Sequence, residues 1–146
     1  MVPEQPTVFQ RIGPAPIEFL AEELYRGIAG DARIRRMFSE DLSPTSEAVR
    51  DMREFLTQFF GGPGDYSTRK GHPRLRARHM RFAITPAARD AWLSHAMSAL
   101  ATTVLRHGID TATADEIRRY FAHASAFMIN QPSDQSSEAP TADSGR

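Results

Sequence analysis

Cysteine is absent from the 146 residues, which removes disulfides, thiolate metal sites and a cysteine nucleophile, and which suits a reducing compartment. Neither sign of charge is in excess. Eighteen basic residues stand against 18 acidic ones, so no global field draws the chain to nucleic acid or to an anionic membrane. No apolar run approaches the roughly 18 residues that cross a bilayer, and the N-terminus shows no basic-then-apolar signal pattern. A cytoplasmic protein without nucleic-acid or membrane partners is the expectation. Also missing are a glycine-rich phosphate loop after a strand, a His-Glu-x-x-His pair and a serine nucleophile elbow. Hydrolysis and phosphoryl transfer lose their usual machinery with them.

What is present repeats at helical spacing, and nothing alternates as a strand does. Residues 1–15 carry three prolines and read as a loose lead-in, with Val8, Phe9 and Ile12 docking on the core. A first helix is expected to open at Pro16, with Ile17, Leu20, Ala21, Leu24 and Ile28 on one stripe, Tyr25 at its edge, and Gly27 and Gly30 loosening its end. Asp31 can cap a short helix carrying Ile34, Met37 and Phe38. After Ser43-Pro44, a helix places Ala48, Met52, Phe55, Leu56 and Phe59 on one face, until Gly61-Gly-Pro ends it. Thr85 and Pro86 start the strongest helix, on which Trp92, Ala96 and Leu100 form a strip flanked by Leu93, Met97 and Val104, ending at Gly108. Thr113-Ala-Asp-Glu116 has capping-box form ahead of Ile117, Tyr120, Phe121, Ala124, Phe127 and Met128. The outcome is one all-α domain of about five helices over residues 16–130, with a disordered polar tail over 131–146.

One stretch does not read as core. From Tyr66 to Phe82 it is dense in arginine, nearly free of acid, and holds His72 and His79. Gly71 and Pro73 interrupt any helix before His79, which leaves this imidazole on a short turn at a fixed point and keeps the two histidines from forming a zinc pair on one helix. A histidine of this kind is more often an exposed bystander than a ligand. The arginine run is, by itself, most simply a solvated face, in particular Arg69, Lys70 and Arg81.

The words Tyr66-Ser, Gly71-His-Pro-Arg-Leu-Arg, Arg78-His-Met-Arg-Phe-Ala-Ile and Arg89-Asp-Ala-Trp-Leu, in this order and spacing, resemble the haem-binding half of the group II truncated haemoglobins. The resemblance extends from about Glu22 to Asn130. It implies an all-α, shortened globin fold, a 2-over-2 helical sandwich around haem b (iron protoporphyrin IX), with His79 as the proximal iron ligand. On the distal side it implies that Tyr25 and Trp92 donate hydrogen bonds to a bound diatomic ligand, with Phe38, Ala48 and Met52 around them. Phe38 stands where close relatives often carry tyrosine. Ala48 stands where other globins carry a distal histidine, which leaves an open side door. Gly13-Pro-Ala-Pro replaces a Gly-Gly turn common in the family, which implies a shorter or kinked first helix. Phe55, Leu75 and Phe82 are candidates to flank the ring, and Tyr66, Arg74 and Arg78 to meet its propionates. Without the resemblance, Tyr25 reads as a helix-edge residue and Trp92 as plain core.

On this reading the protein binds dioxygen, carbon monoxide and nitric oxide. A strongly hydrogen-bonded ligand leaves slowly, which disfavours simple oxygen delivery and favours nitric oxide dioxygenation, peroxidase-like chemistry or sensing. Such chemistry needs an unidentified reductase, since the chain has no flavin or nicotinamide module; homodimerisation is a further expectation from the resemblance. The alternative is a haem-free helical interaction module whose basic run, residues 69–81, grips phosphate groups. A purified protein that stays colourless after haem is supplied, yet binds oligonucleotide in a salt-dependent way, would favour that alternative. An absorption band near about 400 nm is the result the globin resemblance predicts.

Overall fold

Thr7 and Gln10 satisfy each other's backbone, and this reciprocal pair starts a helix where a loose lead-in was expected. The Thr7 amide donates to Gln10 Oε1 at 2.8 Å and the Gln10 amide to Thr7 Oγ1 at 3.1 Å, a capping box of threonine and glutamine. The computed structural model describes residues 5–38, 40–74, 79 and 83–131. Among these the chain forms α1 (Val8–Ile12), α2 (Pro14–Ala29), a 3-10 turn (Arg35–Met37), α3 (Glu47–Phe59), α4 (Asp65–Lys70), α5 (Pro86–His107) and α6 (Thr111–Phe127), and no strand. The expected tail beyond Gln131 lies outside the described residues.

Helix α2 begins two residues before Pro16 because Pro14 occupies its first turn, where a missing N–H costs nothing. Its stripe is as the periodicity predicts: Ile17, Leu20, Ala21, Leu24 and Ile28 are all buried. Helix α1 lies over the turn after α3, with the Phe9 amide donating to the Phe60 carbonyl at 2.9 Å. Gly61 makes this approach feasible. It adopts a φ of +99°, and a methyl group there would fall 2.4 Å from Thr7 Cβ.

Helix α3 starts at Ser46, whose hydroxyl accepts from the Val49 amide at 3.2 Å, so the cap is this serine and not Ser43-Pro44. Thr85 caps α5 as expected, accepting from the Ala88 amide at 3.1 Å. For α6 the expected capping box is displaced. Asp110 is the cap, taking the Thr113 amide at 3.1 Å and the Thr113 hydroxyl at 2.7 Å, and Glu116 instead receives Arg11 at 2.7 Å. The helix thus begins one turn earlier than the box predicts, at Thr111. Phe59 and Phe127, read as core from their spacing, are 52% and 61% exposed. Each lies in the last turn of its helix, and the Phe59 ring still meets that of Tyr120 on α6 at 4.0 Å.

Helices α2 and α3 pack on each other, α5 packs on α6, and α2 joins the two pairs through α5. This is two helices over two. Gly27 does not loosen α2; it lets α5 come close. A methyl group on it would lie 2.6 Å from His95 Nδ1, and the His95 ring on α5 reaches across to Asp31 with Nε2 at 2.7 Å.

Gly27→Ala should therefore lower stability by about 1–3 kcal/mol, the usual range for overpacking, despite the better helix propensity of alanine. Chemical denaturation of the single variants and of Gly27→Ala with His95→Ala checks this. The cost of Gly27→Ala should shrink in the His95→Ala background, and an undiminished cost would contradict the ring contact.

Candidate functional site

The segment between α2 and α3 is anchored at its first residue. The Asp31 carboxylate accepts from the Arg33 amide at 2.9 Å, the Arg33 guanidinium at 2.6 Å and His95 Nε2 at 2.7 Å. Hydrogen bonds from Arg33 and then His95 hold its carboxyl far below the usual range. Farther along, the Arg35 guanidinium caps the carbonyls of Phe38 and Glu40. The segment is thus pinned at both ends, and Ile34, Met37 and Phe38 between them face inward.

Helix α3 is fixed from the other side by charge. Arg69 is only 24% exposed and bonds Asp51 at 2.6 Å and Glu54 at 2.7 Å, while Lys70 bonds Asp51 at 2.9 Å. Burial opposes ionisation of both carboxyls, but the hydrogen bonds from these cations outweigh it and lower their pKa values. The expectation of a solvated Arg69 and Lys70 is corrected here. The acids that hold them lie on α3, remote in sequence, and so were invisible in the basic run itself.

Between these walls lies a cavity of about 280 Å³. It is lined by Tyr25 of α2 with Ile34, Met37 and Phe38, by Met52, Phe55 and Leu56 of α3, by His79, Ile84, Ala88, Arg89 and Trp92, and by Tyr120, Phe121, Ala124, Ser125 and Met128, with the exposed Glu40 also contributing. The walls are mostly apolar. Tyr25 meets Phe38 edge to face at 6.0 Å, and Trp92 meets Phe121 in the same way at 5.7 Å. Burial first, and then the charges of Glu40 and Asp51, push the Tyr25 phenol well above its ordinary pKa, so it stays a neutral donor.

His79 is half-buried in helical backbone and lines this cavity. Its carbonyl accepts from Asn130 Nδ2 at 3.4 Å. The same asparagine takes the Ile84 amide on Oδ1 at 2.9 Å, and the Asn130 amide returns to the Ile84 carbonyl at 3.0 Å. One side chain after α6 thus bonds both the His79 carbonyl and the Ile84 amide. Arg89 fastens α5 to α6, with Nε to Ser125 Oγ and Nη2 to the Ala122 carbonyl, each 2.9 Å.

Of the residues singled out from sequence, Tyr25, Phe38, Met52, Phe55, His79 and Trp92 meet at the cavity. Ala48 is buried in the core one turn from Met52 and does not line it. Tyr66 is 6% exposed and packs edge to face on Phe55 at 5.7 Å, behind the wall. Arg74 is exposed, with φ 44°, and its amide donates to His72 Nδ1 at 3.1 Å. Leu75, Arg78 and Phe82 lie outside the described residues. Glu40, Arg89 and Asn130 were not anticipated. Only Arg89 had a signal, as part of the Arg89-Asp-Ala-Trp word.

The donor set suits haem better than a bare metal ion. Among the described residues no three histidine or acidic side chains gather to hold a metal, whereas a single imidazole at an apolar slot is what an iron macrocycle uses. Neither the Tyr25 hydroxyl nor the Trp92 N–H donates to a protein group among the described residues, yet no side-chain donor there is fully buried without a partner. Both residues line the cavity.

The chain matches the family model for bacterial-like globin over residues 7–129. It is 40% identical over 86 residues to group 2 truncated hemoglobin YjbI of Bacillus subtilis, covering 59% of this chain and 63%, slightly under two thirds, of that protein. It is 30% identical to two-on-two hemoglobin-3 of Arabidopsis thaliana over 86% of this chain and 70% of that protein. The solved hemoglobin of Chloroflexus aurantiacus superposes with a TM-score of 0.78 at 39% identity, covering 87% of this chain and all of that one, 100%.

Because burial favours the neutral phenol, the stabilisation from Tyr120, whose pKa burial pushes up to about 12, is complete below about pH 10 and lost as pH rises through about 12. Tyr25 should ionise later still. Between about pH 9 and 11, Tyr25→Phe should show the same gain in phenolate absorbance as the parent, and a smaller gain would contradict the burial of its hydroxyl.

Proposed function

This chain belongs to the bacterial-like globins, as a group II truncated haemoglobin, and on that premise we propose that His79 would ligate the iron of haem b and that Tyr25 and Trp92 would donate hydrogen bonds to a diatomic ligand held there. Haem binding and the binding of diatomic gases such as oxygen go with the family. The observation that carries the finer reading is the pair of donors, a phenol hydroxyl and an indole N–H, that share one apolar cavity with a single imidazole.

Haem supplies the coordination of a gas ligand and its exchange of electrons. The protein supplies the rest. Asn130 holds the backbone of His79 and so sets where the imidazole enters the cavity. Met52, Phe55 and Phe38 keep water from the ligand face and lower the local dielectric, which strengthens every hydrogen bond made there. Into that space Tyr25 donates O–H and Trp92 donates N–H, both toward negative charge that develops on the ligand. Ser-capped α3 and the pinned 31–38 segment keep these groups from moving apart.

Two donors on one small ligand slow its departure, so the chain is built for chemistry or sensing at the ligand more than for delivering oxygen. Nitric oxide dioxygenation and peroxidase-like activation fit best, with electrons from a separate reductase. Arg74, Arg78 and Tyr66 are the propionate candidates. The phosphate-gripping alternative is weakened by Arg69 and Lys70, whose charges are already spent on Asp51 and Glu54.

His79→Ala should lose stable haem, and retention with an unchanged absorption spectrum would show that another residue ligates. Tyr25→Phe and Trp92→Phe should each speed oxygen dissociation by about five- to tenfold, since a hydrogen bond to a polar group is worth roughly 1–1.5 kcal/mol, and the double variant should exceed either. Stopped-flow off-rates that do not change would remove the distal roles while leaving His79 intact.

A further inference from the structure

Glu40 is the only carboxylate lining the cavity among the described residues. It is exposed, its backbone is held by Arg35, and no ion pair to its side chain is found among the described residues. The nearby acid Asp51 is different, since Arg69 and Lys70 neutralise it. The one guanidinium that lines the cavity among these residues, Arg89, is bound to Ser125 and Ala122 and has Asp90 at 3.5 Å. Among the described residues Glu40 therefore presents a negative charge with no ion-pair partner where it lines the cavity, close enough to Tyr25 to raise the cost of a phenolate there.

We propose that Glu40 is a charge filter at the mouth of the ligand site, which repels anionic ligands and leaves neutral gases unaffected. The inference rests on the haem reading above. A carboxylate several ångströms from the path of a monovalent anion slows its approach by about two- to sixfold in a largely aqueous dielectric, and the effect fades once the Debye length falls below that separation. A neutral diatomic molecule carries no net charge for the field to act on, so its association rate should be the same with or without the carboxylate. The specificity is for charge and not for size. Glutamate at this position admits dioxygen, carbon monoxide and nitric oxide and discriminates against small inorganic anions.

The test uses the full haem-loaded chain and two probes: thiocyanate, an anion at any working pH, with the ferric protein, and carbon monoxide with the ferrous protein. Glu40→Gln should raise the thiocyanate association rate by about two- to sixfold at low ionic strength, Glu40→Lys should raise it further, and the differences should vanish near about 1 M salt. Carbon monoxide association should be the same in all three proteins, which also shows that the variants are folded. Equal acceleration of both probes would overturn the proposal in favour of a steric plug, and no change in thiocyanate rate would overturn it outright. A parent protein that takes up no haem would instead defeat the functional reading, and this inference with it.

Discussion

Two hydrogen-bond donors that line an apolar cavity, with no protein acceptor among the described residues, constrain much else in this structure. A donor of this kind that lost its access to solvent and gained no acceptor would cost about 1–3 kcal/mol, a sizeable fraction of the net stability of about 5–15 kcal/mol of a domain. Tyr25 could have been placed one position along α2, at the surface, and Trp92 could have faced the α5–α2 seam. Their placement at the cavity, beside a phenol pKa raised by burial, makes the site complementary to a small guest that accepts hydrogen bonds.

Keeping such a site requires a scaffold that does not collapse into it. The structure meets this with polar pins around the cavity and apolar packing between them. Asp31 links the 31–38 segment to His95 on α5; Arg69 and Lys70 bind α4 to α3; Arg89 binds α5 to α6; Asn130 binds the His79 segment to the end of α6. Several of these ion pairs are only partly exposed and carry more than one hydrogen bond, which places them above the usual worth of a surface pair. Each closes a distance in sequence that no helix spans. Without them the walls would depend on Met, Phe and Leu contacts that could repack.

The helices and the family were legible in the chain because both rest on local signals. Periodicity marked α2, α3, α5 and α6, threonine at 85 marked the start of α5, and the Arg78-His-Met-Arg-Phe and Arg89-Asp-Ala-Trp words marked the family. The misreadings share a cause. Thr7 and Gln10 fit the capping-box pattern, but the nearby prolines and the five-residue length of α1 left no helical period to accompany it. Asp110 overtakes the Thr113 box because two good caps compete within three positions. Gly27 looked like a weak point, but its role depends on His95, 68 positions away in the chain. Glu40 and Asn130 are ordinary polar residues whose meaning is entirely tertiary.

The central claim is that an iron macrocycle sits in this cavity with the imidazole of His79 on one face and the Tyr25 and Trp92 donors on the other. A crystal structure of the haem-loaded protein with carbon monoxide measures this most directly. It should show a ring nitrogen of His79 about 2.0–2.1 Å from iron, with the phenol oxygen and indole nitrogen on the carbon monoxide side. Iron bound through another side chain, or both donors on the same face as His79, would contradict the account.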